Sequence, residues 1–174
     1  MARNSNGRNN SHAIGLSGEF LVAAEMAKRG WEVVHTSHGH PGYDLLAHKG
    51  GRVVGIRVKA ASDTTIKWTA KEDGLLAHYK PGNPDDFTAM VLFDNGGVRD
   101  SRIYVAPTDV VVQAVDYDND FYHRHPNRDG STRKVTDLRV MRFSGEDRPT
   151  NTAYGYQEKF AKYLDAWRLL DGNK

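Results

Sequence analysis

The sequence predicts an α/β fold, a central mixed β-sheet flanked by helices, and three features carry that expectation. Residues 13–29 place Phe20, Leu21, Ala24 and Ala27 at helical spacing. Two segments that alternate in character, 43–48 and 52–60, are joined by Lys49-Gly50-Gly51, a link of hairpin length whose glycines supply positive φ. Residues 154–170 close the chain with Phe160, Tyr163, Leu164, Trp167 and Leu170 along one apolar helix face. A helix, a meander of strands and then further strands and helices is the order of helices packed on a sheet.

The elements follow in order. Ser11 or Ser17 is placed to cap the first helix, and Gly30 after Lys28-Arg29 stops it. Residues 31–35 alternate toward a strand, and 36–42, with Pro41 and Gly42, form an irregular loop before the hairpin. The β-branched and aromatic alternation of 65–70 gives a further strand, and a short helix is expected near 72–79. Pro81-Gly82-Asn83-Pro84 breaks the chain. Residues 87–93 then read as a buried strand, 94–97 as a turn and 102–106 as a neighbouring strand. Asp109 can accept from the free amides of a first turn, so the apolar run 110–115 is expected as a short capped helix, with a strand as the alternative. Residues 116–135 show little periodicity.

The 174 residues suit one domain, read here as 13–174, preceded by an arm at 1–12. Arg3 and Arg8 stand in that arm among Asn, Ser and Gly, a composition too polar to bury itself. It is either a flexible basic arm for a polyanion or a frayed terminus. A hydrophobic fraction of 39% supports a core, and 26% charged residues give a water-facing surface. Net charge is only +2, far from the strongly basic stripe of a dedicated DNA-binding module. No cysteine is present, which excludes disulfides, thiolate catalysis and Cys-based zinc sites. No apolar run approaches the ~20 residues that cross a bilayer, and the start is polar, so a cytoplasmic protein without membrane contact is expected.

Residues two apart on a strand share a face, so Arg57 and Lys59 project together beside Asp44, while Val54, Ile56 and Val58 take the core face. A hard divalent cation needs oxygen ligands, and phosphodiester hydrolysis needs a cation near the attacking oxygen or the phosphate. Asp44 offers the first and Lys59 the second, with Glu19 as an outer contact from the first helix. The competing reading is an ordinary Asp44–Lys59 cross-strand ion pair. His35, His38, His40 and His48 surround Asp44 in sequence, and His123 and His125 flank Arg124; all read more simply as solvated loop histidines than as ligands. Lys67 beside Trp68 offers a phosphate contact with a stacking surface, against plain core packing of the tryptophan.

The runs Gly18-Glu19-Phe20-Leu21, Arg29-Gly30-Trp31-Glu32-Val33, Gly42-Tyr43-Asp44-Leu45-Leu46-Ala47 and Ile56-Arg57-Val58-Lys59-Ala60 resemble the PD-(D/E)xK nuclease superfamily, in particular its intron-endonuclease and Holliday-resolvase-like branches. The resemblance spans about residues 15–107. It implies a restriction-endonuclease-like αβββαβ core and a metal-dependent endonuclease acting on DNA phosphodiesters. Asp44 and Glu19 would then hold Mg2+ or Mn2+, and Asp44, Lys59 and Glu19 would be catalytic. Arg57 and Lys67 would bind phosphate; DNA is the implied partner, and a homodimer is admitted. The departure is Arg57, where the family pattern has Glu, Asp or Gln. Arginine has no acceptor, and a guanidinium ~6 Å from a divalent ion opposes it by roughly 5 kcal/mol at an effective dielectric of ~20. Glu19, Glu25, Asp63 or the Val58 carbonyl would have to substitute. The alternative is a catalytically degenerate nuclease fold that binds nucleic acid or a protein partner, the latter including an inhibitor that needs no cationic cleft.

Overall fold

A computed structural model describes residues 6–36, 42–69, 79–93, 98–127, 129–134, 136–145 and 152–172. Helix α1 runs Asn6–Lys28, followed by β1 Glu32–His35, β2 Leu45–Lys49, β3 Arg52–Ala61, β4 Thr65–Thr69, β5 Asp86–Phe93 and β6 Ser101–Pro107. Helix α2 Thr108–Arg124, strand β7 Leu138–Arg142 and a short α3 Tyr156–Lys159 complete the regular elements, with 3-10 turns at Ala161–Tyr163 and Trp167–Asp171. The main sheet is ordered β1-β2-β3-β5-β6, and β4 leaves it to pair with β7. Every pairing is antiparallel except β3 with β5. The sheet is therefore mixed, as the sequence predicts.

The hairpin forms as expected: Lys49 pairs with Arg52 around Gly50 and Gly51, whose φ values of 58° and 83° suit a two-residue turn. Strand β5 is buried along its whole length, as befits a central strand covered on both faces. Its alternate residues feed two cores. Phe87, Ala89 and Val91 join Val22 and Met26 of α1 with Val54, Ile56 and Val58 of β3. Met90 and Leu92 join Val111 and Val115 of α2 with Ile66, Trp68 and Met141 of the β4–β7 ribbon.

Helix α1 approaches β3 closely at Gly18, where a Cβ would meet the Ala60 Cβ at 2.6 Å. Both atoms are fixed to backbone, so neither can swing away. Gly18→Ala is therefore expected to cost about 1–3 kcal/mol by overpacking, more than the ~1 kcal/mol gained in helix propensity. Urea denaturation checks this; an unchanged or raised midpoint would mean that α1 adjusts freely.

Several expectations are corrected. Helix α1 starts at Asn6, so Ser11 and Ser17 lie inside it and cap nothing, and 6–12 of the expected arm are helical. Asp109 does not cap α2: the N-cap is Pro107, and Asp109 in the first turn accepts from Tyr79 Oη at 2.6 Å and Gly82 N at 3.1 Å. That helix extends through 116–124, where little periodicity is visible, because Asp118 is buried against the Tyr156 hydroxyl at 2.5 Å. The closing segment is not one helix. Tyr156, Phe160 and Tyr163 fill one core while Trp167 and Leu170 fill the other, on the opposite side of the sheet. A single straight helix face cannot serve both. The chain instead turns at Leu164 and Asp165, with Leu164 bridging Tyr104, the Asp165 amide donating to Ile103 O at 2.9 Å and Asp165 at φ 50°. The expected helix near 72–79, the turn at 94–97, Arg3, His38 and His40 lie outside the described residues, apart from Tyr79. Among the described residues no helix is long and apolar enough to cross a membrane.

Candidate functional site

The entry into β2 builds a corner around Asp44. Its amide donates to Ile56 O at 2.9 Å, and its carbonyl accepts from Thr36 N at 3.0 Å and from Thr36 Oγ1 at 3.2 Å. Thr36 Oγ1 also donates to Tyr43 O at 2.6 Å, which fastens the loop's exit. The ladder with β3 ends at Leu45 and Ile56, leaving the Val58 amide past the last β2 partner. Asp44 Oδ2 takes that amide at 2.6 Å. A buried amide needs an acceptor, and here one carboxylate oxygen provides it.

Lys59, the next residue on β3, is half-buried on the face opposite Val58. No hydrogen bond or ion pair joins it to any described residue, and none within 4.0 Å joins it to Asp44. The ordinary cross-strand ion pair is therefore absent. Glu19, on α1, lies beside His35 of β1, whose Nδ1 is 3.8 Å from Glu19 Oε2. His35 itself pairs with Leu45 in the sheet and packs its ring 4.9 Å from Phe20.

Arg57 shares Lys59's face but does not open onto a cleft; it is 3% exposed. Its Nε and Nη2 donate to Asp86 Oδ1 and Oδ2 at 3.2 and 3.1 Å, and its guanidinium lies 4.8 Å over the Tyr43 ring. Asp86 accepts further from Thr108 Oγ1 at 2.6 Å and from Tyr43 Oη at 3.2 Å, and Thr108 Oγ1 lies 2.9 Å from Thr88 Oγ1. Tyr43 also covers Gly55, where any Cβ would overlap its ring. Asp86 is the carboxylate that sequence reasoning missed. It faces Gly55 across the parallel pairing of β3 with β5, a register no local pattern announces. Both its oxygens are engaged, so it neutralises Arg57 and does not serve as a free ligand.

The other carboxylates considered near Arg57 are committed elsewhere. Glu25 pairs with Arg29, whose hydrogen bond holds its carboxyl below the usual range, and Asp63 Oδ1 accepts from Thr65 N at 2.7 Å. Lys67 is exposed on β4, opposite Val140, and lines a cleft with Ser11, Ala60 and Thr65. Trp68 is 2% exposed and belongs to the core, which removes it as a stacking surface. His48 lies on the surface 3.7 Å from Glu32, and His125 Nδ1 is bound to Phe121 O. Among the described residues no group of three or more His, Asp or Glu side chains converges to hold a metal ion.

Burial, reinforced by the Asp86 charge, raises the Tyr43 phenol above its ordinary value, so it stays a proton donor at neutral pH. Burial and the bond to Asp109 push Tyr79 up to about 12. Both groups hold the proton more tightly folded than unfolded, and for Tyr79 the contribution is full below pH 10 and is lost as pH rises through about 12. Melting temperatures are expected to fall over that window, and less steeply in Tyr79→Phe. Parallel curves for the two proteins would show that Tyr79 is not linked to folding.

No family model matches the chain, and no curated protein does. Among solved structures it is similar to a bacterial homing endonuclease, at 16% identity and a TM-score of 0.54, over 93% of this chain and 94% of the other. It also matches Hjc, a Holliday junction resolvase from the archaeal hyperthermophile Archaeoglobus fulgidus, at 16% identity and a TM-score of 0.45, over 74% and 83%. The fold is thus the restriction-endonuclease-like nuclease fold, a mixed five-stranded sheet flanked by helices.

Proposed function

We propose that the chain is a metal-dependent endonuclease that hydrolyses DNA phosphodiester bonds at the corner formed by Asp44 and Lys59. One observation carries this reading: Asp44 is fixed by the Val58 amide through Oδ2, and among the described residues neither its Oδ1 nor the ammonium of Lys59, next to Val58, has a partner. An isolated surface pair would have closed on itself. In this reading a phosphate is bound between Asp44, at the entry to β2, and Lys59, on the neighbouring β3.

The donor set fits Mg2+ or Mn2+ on its chemistry, since Mg2+ is bound through one or two carboxylates, with waters and substrate phosphates completing its shell. Asp44 would hold the ion and Glu19 would assist from α1. When bound, the ion supplies charge stabilisation at the phosphate and lowers the pKa of water. Lys59 positions the attacking water and balances charge on the phosphorane-like transition state, and Lys67 grips a neighbouring phosphate. The objection raised by Arg57 is largely cancelled, because the Asp86 carboxylate at 3.1–3.2 Å makes the pair neutral.

The degenerate reading has its own support: the motif position that usually carries an oxygen ligand holds Arg57, and Asp86 is already engaged. Calorimetric titration with Mn2+ in the presence of duplex DNA tests the metal site. Asp44→Asn should weaken Mn2+ binding at least about tenfold, which is ~1.4 kcal/mol. Equal binding by the variant would sink the assignment of Asp44.

A further inference from the structure

A pocket of about 250 Å3 lies between α2 and β7, lined by Val115, Asn119, Tyr122, Arg139, Val140 and Arg142. Neither Asp44 nor Lys59 touches it. Arg139 is held in place by the bond from Nη1 to Thr136 O at 3.0 Å, with its side chain 14% exposed. The nearest carboxylate, Asp116, stands 3.7 Å from Arg139 Nε, beyond hydrogen-bond reach, and that Nε is buried without an acceptor. The guanidinium carbon of Arg142 lies 4.8 Å from the centroid of the Tyr154 ring, and no described residue accepts from its guanidinium. Asp118, the carboxylate in the same pocket, is occupied by the Tyr156 hydroxyl.

Arg139 and Arg142 thus both line one cavity, where the only carboxylate ion pair among the described residues is the 3.7 Å contact of Arg139 with Asp116. Buried polar groups in native folds find partners, from protein, water or ligand. A guanidinium fork matches the spacing of phosphate or carboxylate oxygens, and a tetrahedral group can meet two forks together. We propose that this pocket binds a phosphate group, held by Arg139 and Arg142 with the Asn119 amide. Its source is either a free phosphate or nucleotide, or the backbone of a nucleic acid passing over α2 and β7. The proposal is independent of the cleavage chemistry at Asp44.

The test is a titration of the full chain with inorganic phosphate, followed through the Arg139 Nε–H resonance, against sodium chloride at equal ionic strength. A saturating shift with phosphate and none with chloride is expected. Arg139→Gln and Arg142→Gln should each weaken the phosphate Kd at least about tenfold, the loss of a charge-assisted hydrogen bond. Arg142→Gln keeps the test valid if Arg139→Gln fails to fold. A short duplex added with EDTA separates the sources: displacement of phosphate identifies the nucleic-acid backbone, and coexistence identifies a free anion. An Arg139 resonance that responds equally to both salts would mean that ordered water alone satisfies the pocket. That result, or phosphate affinity unchanged in both variants, overturns the proposal.

Discussion

Asp86→Ala is expected to cost about 3–5 kcal/mol of stability, the penalty for removing one partner of a buried ion pair. The expectation rests on Arg57, which at 3% exposure cannot reach water once the Asp86 oxygens are gone. Thr108 and Tyr43 lose their shared acceptor at the same time. Arg57→Glu would not install a metal ligand; it would bury a second carboxylate against Asp86, and should be destabilising by a comparable amount. The double variant Arg57→Met/Asp86→Leu removes both charges and should recover part of the loss, because a buried pair is often replaceable by apolar side chains. Urea denaturation of the four proteins gives the comparison. A cost below about 1 kcal/mol for Asp86→Ala would put the pair in the range of solvated salt bridges and contradict the buried geometry. If the folded double variant retains cleavage, the pair is structural; if it loses cleavage, Arg57 contributes to the reaction.

The second large effect is on catalysis. Lys59→Ala and Asp44→Asn should each lower DNA cleavage by about 10²–10³-fold, the scale on which one electrostatic contact to a transition state acts. Asn is the informative replacement at position 44, because its side-chain oxygen can still accept from the Val58 amide. The corner then keeps its shape and loses its charge. Asp44→Ala would also strand that amide, at about 1–3 kcal/mol, and mix stability with activity. Glu19→Gln is expected to have a smaller effect, since Glu19 stands on α1 with His35 beside it. Cleavage rates at matched folded fractions give the comparison, and unchanged rates in both Lys59→Ala and Asp44→Asn would place the chemistry elsewhere.

What the sequence discloses of this molecule is what local pattern can encode. The hairpin is legible because Gly50 and Gly51 mark a two-residue turn between alternating segments, and β5 because residues 87–93 are almost unbroken in apolar character. The shared face of Arg57 and Lys59 follows from strand geometry alone. The pairing of Arg57 with Asp86 does not, since it depends on a parallel register between strands separated by β4 and the segment after it. The β4–β7 ribbon is hidden for the same reason: Thr65–Thr69 and Leu138–Arg142 meet only in three dimensions. Asp118 looks like a solvated residue in a polar stretch, and only the arrival of Tyr156 lets α2 bury it. The C-terminal spacing of apolar residues is real, but two cores on opposite sides of the sheet divide it. Of the candidate site, the proposal of Asp44 and Lys59 comes from sequence pattern, whereas the anchoring of Asp44 on the Val58 amide and the neutralisation of Arg57 are products of the fold.

The central claim is tested most directly by incubating the purified chain and its Asp44→Asn variant with supercoiled plasmid DNA, with Mg2+ or Mn2+ and with EDTA. The account predicts nicked or linear product from the wild-type chain with either metal, none with EDTA, and at least about a hundredfold less from the variant. Cleavage that persists in EDTA, or that the variant performs as fast as the wild-type chain, would contradict it, as would intact plasmid under every condition.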